Sequence, residues 1–408
     1  MRSHSLALAV VASLGLAAAP AFAATSPGVT PAQLEQLQAQ IAALQAQVQQ
    51  LQGQSESLQA QSDAQSEVNV TQAQAIETAQ KSQAGIDKLA KLVNDTKVGG
   101  RMFFDVSNID STSNGNDNGK GGTAFDIKRF YLTVDHAFND IWSVNLTTDM
   151  QYSSAVGATE LFVKNAYVQG KFDKAFTLKV GAAGMPWIGY VENFYGMRYV
   201  ENTLTDRLKY GNSADWGLHA SGDLGDQFNY ALSVVNGAGY KNPTRGKGMD
   251  VEGRFAYQPT PEIGIAVGAY SGKRGQETDI LSAEHSYTRG DVMVAYAGPA
   301  FRLGAEYFQA KNLNNVLTPA SDKSSGWSSW ASVNLSDNGI NAFARYDKTD
   351  LSKTLDPTLS DKYWNVGVEF PVVKGFKLAT VYKYTHLAND FTKNDKIKEF
   401  GVFGDVKF

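Results

Sequence analysis

Arg198, Arg207 and Lys209 stand close together in Gly184–Ser213, a segment that also holds Trp187, Tyr190, Phe194, Tyr195, Tyr199 and Tyr210. Glu192, Glu201 and Asp206 balance its bases. Cations gathered along a confined aqueous path lower the electrostatic barrier to anions. Other chemistry is missing. The histidines His4, His136, His219, His285 and His386 are scattered, and none has metal-pair spacing. There is no Gly-x-Ser-x-Gly elbow. Gly119-Lys120 lacks the upstream glycine and following Ser or Thr of a phosphate loop. In Asp110–Gly121, Thr112 and Gly121 stand where a calcium loop wants acidic ligands. The chain thus predicts no catalytic residue, no metal and no cofactor.

The elements that must position these cations are strands. From Val98 onward apolar and polar residues alternate with period two, so one face meets grease and the other water. In 141–153, Trp142, Val144, Leu146 and Met150 face one way, and Ser143, Asn145, Thr147 and Asp149 the other. About sixteen such strands are expected, the first near 100–109 and the last at 396–408. Short turns alternate with long loops, of which Asp110–Gly122 and Gly184–Ser213 are two. Parity turns Arg101, Arg129, Lys179, Arg254, Arg289, Arg302, Arg345, Lys377 and Lys383 toward the polar face, with Asp135, Asp149, Asp215, Asp291, Glu306 and Glu369. The last strand ends on Phe408. A strand that must close a barrel in lipid leaves no free edge, so Phe408 is expected to serve closure and assembly. The fold class is therefore an all-β transmembrane barrel of about 16 antiparallel strands. The aromatic segment Gly184–Ser213 is expected to fold into the lumen and narrow it. Lys179, Arg198, Arg207, Lys209, Arg129, Arg254, Arg302 and Arg345 are the candidate residues of a constriction and anion path.

Two regions precede the barrel. Residues 1–23 combine Arg2, an apolar run from Leu6 to Ala19 and the small-residue site Ala21-Phe22-Ala23, as a signal peptide does. Residues 24–97 are rich in Gln and Ala. Leu34, Leu37, Ile41, Leu44, Val48, Leu51 and Leu58 follow heptad spacing, which predicts an α-helical coiled coil in the periplasm. Gly99-Gly100 is expected to break that helix, and the barrel to occupy 98–408. The chain has no cysteine and a formal net charge of −4, which argues against a nucleic-acid partner. A barrel so nearly neutral can select by charge only through where its charges sit. A structural reading also stands, in which the coiled coil reaches the cell wall and tethers the outer membrane to it.

Several motifs resemble the phosphate-selective porin O/P family. They are Lys97-Val98-Gly99-Gly100-Arg101, Lys128-Arg129-Phe130-Tyr131-Leu132, Ala166-Tyr167-Val168 with Leu178-Lys179-Val180-Gly181, Met185-Pro186 and Val235-Asn236-Gly237. The resemblance implies a homotrimer of 16-stranded barrels in the outer membrane of a Gram-negative bacterium, with lipid outside and small anionic or polar solutes passing within. Phosphate-like anions head the expected solutes. Dicarboxylates, or the carbohydrates and mixed solutes of a general porin, are the alternatives.

Overall fold

The computed structural model describes residues 30–153 and 158–408; the expected signal peptide lies outside them. The chain divides into two units at Lys88 and Leu89. Helix α1 (Pro31–Asp95) is one unbroken helix with no buried residue. Leu34, Leu37, Ile41, Leu44, Val48, Leu51 and Leu58 are each more than half exposed in the single chain.

The second unit is a sheet closed on itself. Its strands are β1 (Thr96–Ser113), β2 (Asn116–Asp117), β3 (Gly122–Ala137), β4 (Trp142–Ser153), β5 (Ala158–Lys171), β6 (Thr177–Gly184), β7 (Ala214–Leu224), β8 (Phe228–Val235), β9 (Asp250–Tyr257), β10 (Ile263–Gly272), β11 (Tyr287–Ala297), β12 (Phe301–Lys311), β13 (Lys323–Asn334), β14 (Asn341–Asp350), β15 (Ser360–Val373), β16 (Phe376–Ala388) and β17 (Asn394–Lys407). The two-residue β2 only extends the first hairpin. The other sixteen form an antiparallel ring, with β1 held between β3 and β17. Every long strand therefore has a neighbour on both sides, as lipid requires.

Alternation decides what each face carries. Outward, an apolar band that includes Val292, Val294, Leu303 and Val402 is exposed. It is flanked by aromatic residues, Phe228, Phe255 and Phe301 toward the short turns and Trp327 and Tyr346 toward the long loops. An apolar band between two aromatic girdles is the signature of a membrane-spanning barrel. Inward, buried polar groups such as Asp149, Asp215, Glu252, Arg289, Asp347 and Glu369 line the wall.

Two boundaries differ from expectation. Gly99 and Gly100 do not break the helix. They lie inside β1, whose pairing with β3 starts at Thr96 opposite His136. Gly100 is needed there because the Phe408 ring occupies the space a Cβ would fill. The expected long loop Asp110–Gly122 is mostly ladder. Asn114 (φ 50°) and Gly115 (φ 86°) make a tight turn between strands that continue on either side. Positive φ at both central positions is the hairpin geometry that Asn-Gly favours.

The seam ends on Phe408. Its N–H donates to the Gly100 carbonyl at 3.1 Å, and the Gly100 N–H donates to the Phe408 carbonyl at 2.9 Å. Its ring lies 6.4 Å from that of Phe130 on β3. Deletion of Phe408 removes this last hydrogen-bonded pair and the ring that covers it. The expected outcome is a lower yield of folded barrel, measured by heat-modifiable mobility on gels. A yield equal to that of the full chain would refute this role.

Candidate functional site

The connection between β6 and β7, residues 185–213, is built to lie inside the barrel. Its first helix, α2 (Ile188–Tyr195), buries Ile188, Val191, Phe194 and Tyr195 and ends at Gly196 in a left-handed conformation. Gly closes a helix this way at no steric cost. A short turn, α3 (Leu204–Arg207), follows. Trp187, Phe194, Tyr195 and Tyr199 pack against wall residues Phe103, Met293, Trp330, Phe343 and Phe403. Burying such side chains is worth about 1.5–3 kcal/mol each. The wall makes room with glycines: a Cβ at Gly264 would strike the Phe194 ring, and one at Gly268 the Trp187 ring.

Polar bonds then pin the loop to strands far around the ring. Glu252 on β9 accepts from the Trp187 N–H at 2.9 Å, and Glu306 on β12 from the Leu204 N–H at 3.0 Å. The Tyr199 hydroxyl donates to Glu369 on β15 at 2.7 Å. Lys383 on β16 sits between Glu201 and Glu399, at 3.1 and 2.8 Å. Asp347 on β14 receives Arg345 at 2.7 Å and Arg207 at 3.1 Å, while Arg207 also reaches Asp361 on β15. A loop bonded to β9, β12, β14, β15 and β16 crosses the lumen.

This arrangement sorts the candidate cations. Arg345 and Arg207 are fasteners. Both are buried against carboxylates, and Arg345 also donates to the Asn202 carbonyl. Lys179 faces the lumen with its ammonium 4.8 Å from the centre of the Tyr167 ring. The others line two spaces. On the long-loop side, about 450 Å³ is bounded by Arg129, Arg198, Lys209, Lys241 and Arg274, with Asp206 as the one acid. On the short-turn side, about 600 Å³ is bounded by Lys171, Lys174, Arg254 and Arg302, with Asp223. Arg254 stacks 4.0 Å from the Tyr190 ring centre and donates to the Pro186 carbonyl, and Arg302 donates to the Asn193 carbonyl at 3.0 Å. The loop residues Tyr190, Asn193 and Phe194 belong to the second space, so the same segment borders both.

Parity reasoning missed some members. Lys164 carries outward parity on β5, yet its ammonium lies 3.1 Å from the Tyr131 hydroxyl. A bulge in the β4–β5 pairing turns it inward. A second bulge, between Phe103 and Phe104, places both Lys128 and Arg129 inside, where Lys128 pairs with Asp105 at 3.3 Å. Asp347 was legible, being two residues from Arg345 on the same face. Arg274 and Lys171, at strand ends, carry no periodic signal. Among the described residues no group of three or more His, Asp or Glu could hold a metal.

The loop carboxylates differ in charge state. Burial opposes the charge on Glu201, but Lys383, Lys128, Arg207 and Arg345 outweigh it and hold the carboxyl well below the usual range. Its contribution to stability is thus complete above the ordinary carboxylate pKa and fades only as pH falls toward its own lower value. Asp206 behaves oppositely. Burial pushes it up, Arg198 pulls it down, Glu192 pushes it up again, and the net shift is upward.

The fold is that of a 16-stranded membrane-spanning barrel with a loop folded into its lumen. The model of phosphate-selective porin O and P matches residues 96–265, and the chain resembles that family. Among curated proteins no relative matches the chain. Solved structures share the fold. The outer membrane channel DcaP of Acinetobacter baumannii aligns at 12% identity and TM-score 0.54, covering 77% of this chain and 97% of that one. The anion-selective porin from Comamonas acidovorans aligns at 13% identity and TM-score 0.52, over 77% and 99%. OmpF of Salmonella typhi aligns at 13% identity and TM-score 0.54, over 77% and 97%.

Asp347→Asn leaves Arg207 and Arg345 buried without their shared carboxylate. Breaking a buried ion pair costs about 3–5 kcal/mol. A lower unfolding temperature in detergent and a larger, noisier single-channel conductance are expected. Asp206 takes up its proton before exposed carboxylates do. The permeability of chloride over potassium should therefore rise as pH falls from neutral toward the ordinary carboxylate range, by roughly twofold for one charge within a Debye length. Asp206→Asn should hold the higher ratio at neutral pH and show no such step.

Proposed function

We propose that the chain is one protomer of a trimeric outer-membrane diffusion channel that favours small anions, of which phosphate-like ions and dicarboxylates are the leading candidates. One observation carries this reading: bases outnumber acids in the lining of both spaces, Lys209 and Arg274 joining the carboxylate-paired Arg129 and Arg198 on the long-loop side and Lys171, Lys174, Arg254 and Arg302 facing Asp223 on the other. The barrel total is balanced, but several of its acids are paired with cations in and around the loop's anchorage, Asp347 and Asp361 with Arg207, Glu252 with Arg289 and Glu369 with Lys377. The excess of bases in the lining of the two spaces biases the field that a solute meets.

Residues 24–97 are proposed as a periplasmic coiled coil between protomers. The exposed heptad seam of α1 supports this, because seven apolar side chains at that spacing need partner helices. The comparison porins include a trimeric form of OmpT from Vibrio cholerae. In this reading the seam joins three copies.

Reversal potential in planar bilayers under a KCl gradient tests the selectivity. The expected sign is that of chloride preference. Lys209→Glu with Arg274→Glu should shift the permeability ratio toward potassium by at least about twofold. A clear cation preference of the unaltered chain would overturn the proposal.

A further inference from the structure

The outward faces of β12–β17 carry charges that the lumen does not use. Near the long loops, Lys311 on β12 lies directly opposite Lys323 on β13. Lys348 on β14 lies opposite Lys362 on β15 in the same way, and the His386 ring on β16 separates Lys362 from Lys396 on β17. Like charges directly opposite across a pair of strands destabilise a sheet. Among the described residues no carboxylate forms an ion pair with Lys311, Lys323, Lys348, Lys362 or Lys396. Asp110 lies 3.0 Å from Lys398, Asp350 lies 3.9 Å from Lys353, and Asp322 accepts from the Lys323 and Thr354 N–H groups at 2.8 and 3.0 Å. On β7, β9 and β10 the outward residues nearest the long loops are instead Trp216, Val251 and Ser271.

Height in the membrane follows from the neighbouring aromatics. Trp364 lies opposite Tyr346 on one side and Tyr384 on the other. The Trp327 and Tyr346 rings are 5.3 Å apart, and those of Trp364 and Tyr384 5.9 Å. Such a girdle marks the membrane–water interface. Lys348 and Lys362 stand two residues beyond it, about 7 Å farther along the strand, at head-group level. At one end of the row a groove of about 490 Å³ is lined by Lys311, Lys323 and Lys353 with Thr288, Gln309 and Ser325. The Lys353 N–H donates to the Lys323 carbonyl at 2.7 Å, which brings the third lysine to the other two.

We propose that this face binds the phosphate groups of an anionic glycolipid in the leaflet around the long loops, and that the Lys311–Lys323–Lys353 groove seats one phosphate. Charge complementarity selects this occupant. Clustered ammonium groups at head-group height, beside hydroxyl and amide donors, suit a phosphate monoester, and its charge relieves the repulsion between opposed lysines. The proposal rests on the outer-membrane reading of the barrel and is independent of the selectivity of its lumen.

The experiment measures thermal unfolding of the full-length protein in neutral detergent during titration with bis-phosphorylated lipid A, with dephosphorylated lipid A and with inorganic phosphate. Only the first should raise the unfolding temperature at micromolar concentration, and added salt should weaken the effect. The triple variant Lys311→Gln, Lys323→Gln, Lys353→Gln should bind bis-phosphorylated lipid A roughly a hundredfold more weakly. In lipid-free detergent it should be at least as stable as the unaltered chain, because opposed like charges are gone. Equal stabilisation by dephosphorylated lipid A, or by inorganic phosphate alone, would overturn the proposal. So would unchanged binding by the variant, a loss of stability without lipid, or dissociation of its oligomer in place of lipid loss. Bilayer conductance of the same samples reports separately on the channel reading.

Discussion

A backbone N–H in hydrocarbon can bond only to other backbone groups, and everything else in the barrel depends on that constraint. It forces the ring to close, which sets β1 between β3 and β17. Closure gives each strand one face in lipid and one in the lumen. Lipid admits almost no charge, so the charged residues of the wall collect on the inside. The interior is therefore a polar surface, and a loop can be anchored to it by ion pairs as well as by grease.

The inserted loop uses both. Its aromatics fill sockets left by wall glycines, and its backbone and cations meet wall carboxylates. This division of labour determines the electrostatics of the lumen. A carboxylate paired with a buried guanidinium, as Asp347 is with Arg345 and Arg207, adds little to the field in the open spaces. Arg254 and Arg302 stay at the edge of the short-turn space, bonded to the neutral Pro186 and Asn193 carbonyls, while Arg129 on the long-loop side lies 3.8 Å from Asp149. A barrel with almost equal numbers of acids and bases thereby carries an uneven charge lining in its interior spaces.

Much of this was legible from the residues alone. Period-two alternation carries the strands, their number and the inward parity of Arg254, Arg302, Arg345, Asp149 and Glu369. Heptad spacing carries the helix. Aromatic content carries the inward folding of Gly184–Ser213, since such a surface is costly in water. Three things were not legible. Bulges reset parity, so Lys128 and Lys164 turn inward against the pattern. The Asn114-Gly115 turn is a two-residue signal inside a polar stretch that reads as a loop. The use of each inward cation depends on partners distant in sequence, and spacing alone cannot separate Arg207, locked by Asp347 and Asp361, from Lys209 beside open space.

The loop that crosses the lumen lies in the first half of the barrel sequence, yet its anchors Glu252, Glu306, Asp347, Glu369 and Lys383 all follow it. Contacts of such long sequence separation close large loops, and that entropy is lost before the contacts reward it. A chain emerging from its N-terminus holds residues 185–213 before most of the wall that receives them exists. Docking of the loop is therefore tied to completion of the later strands. A ring without β14–β16 would lack Asp347, Asp361, Glu369 and Lys383, and with them most of the bonds that hold the loop in place.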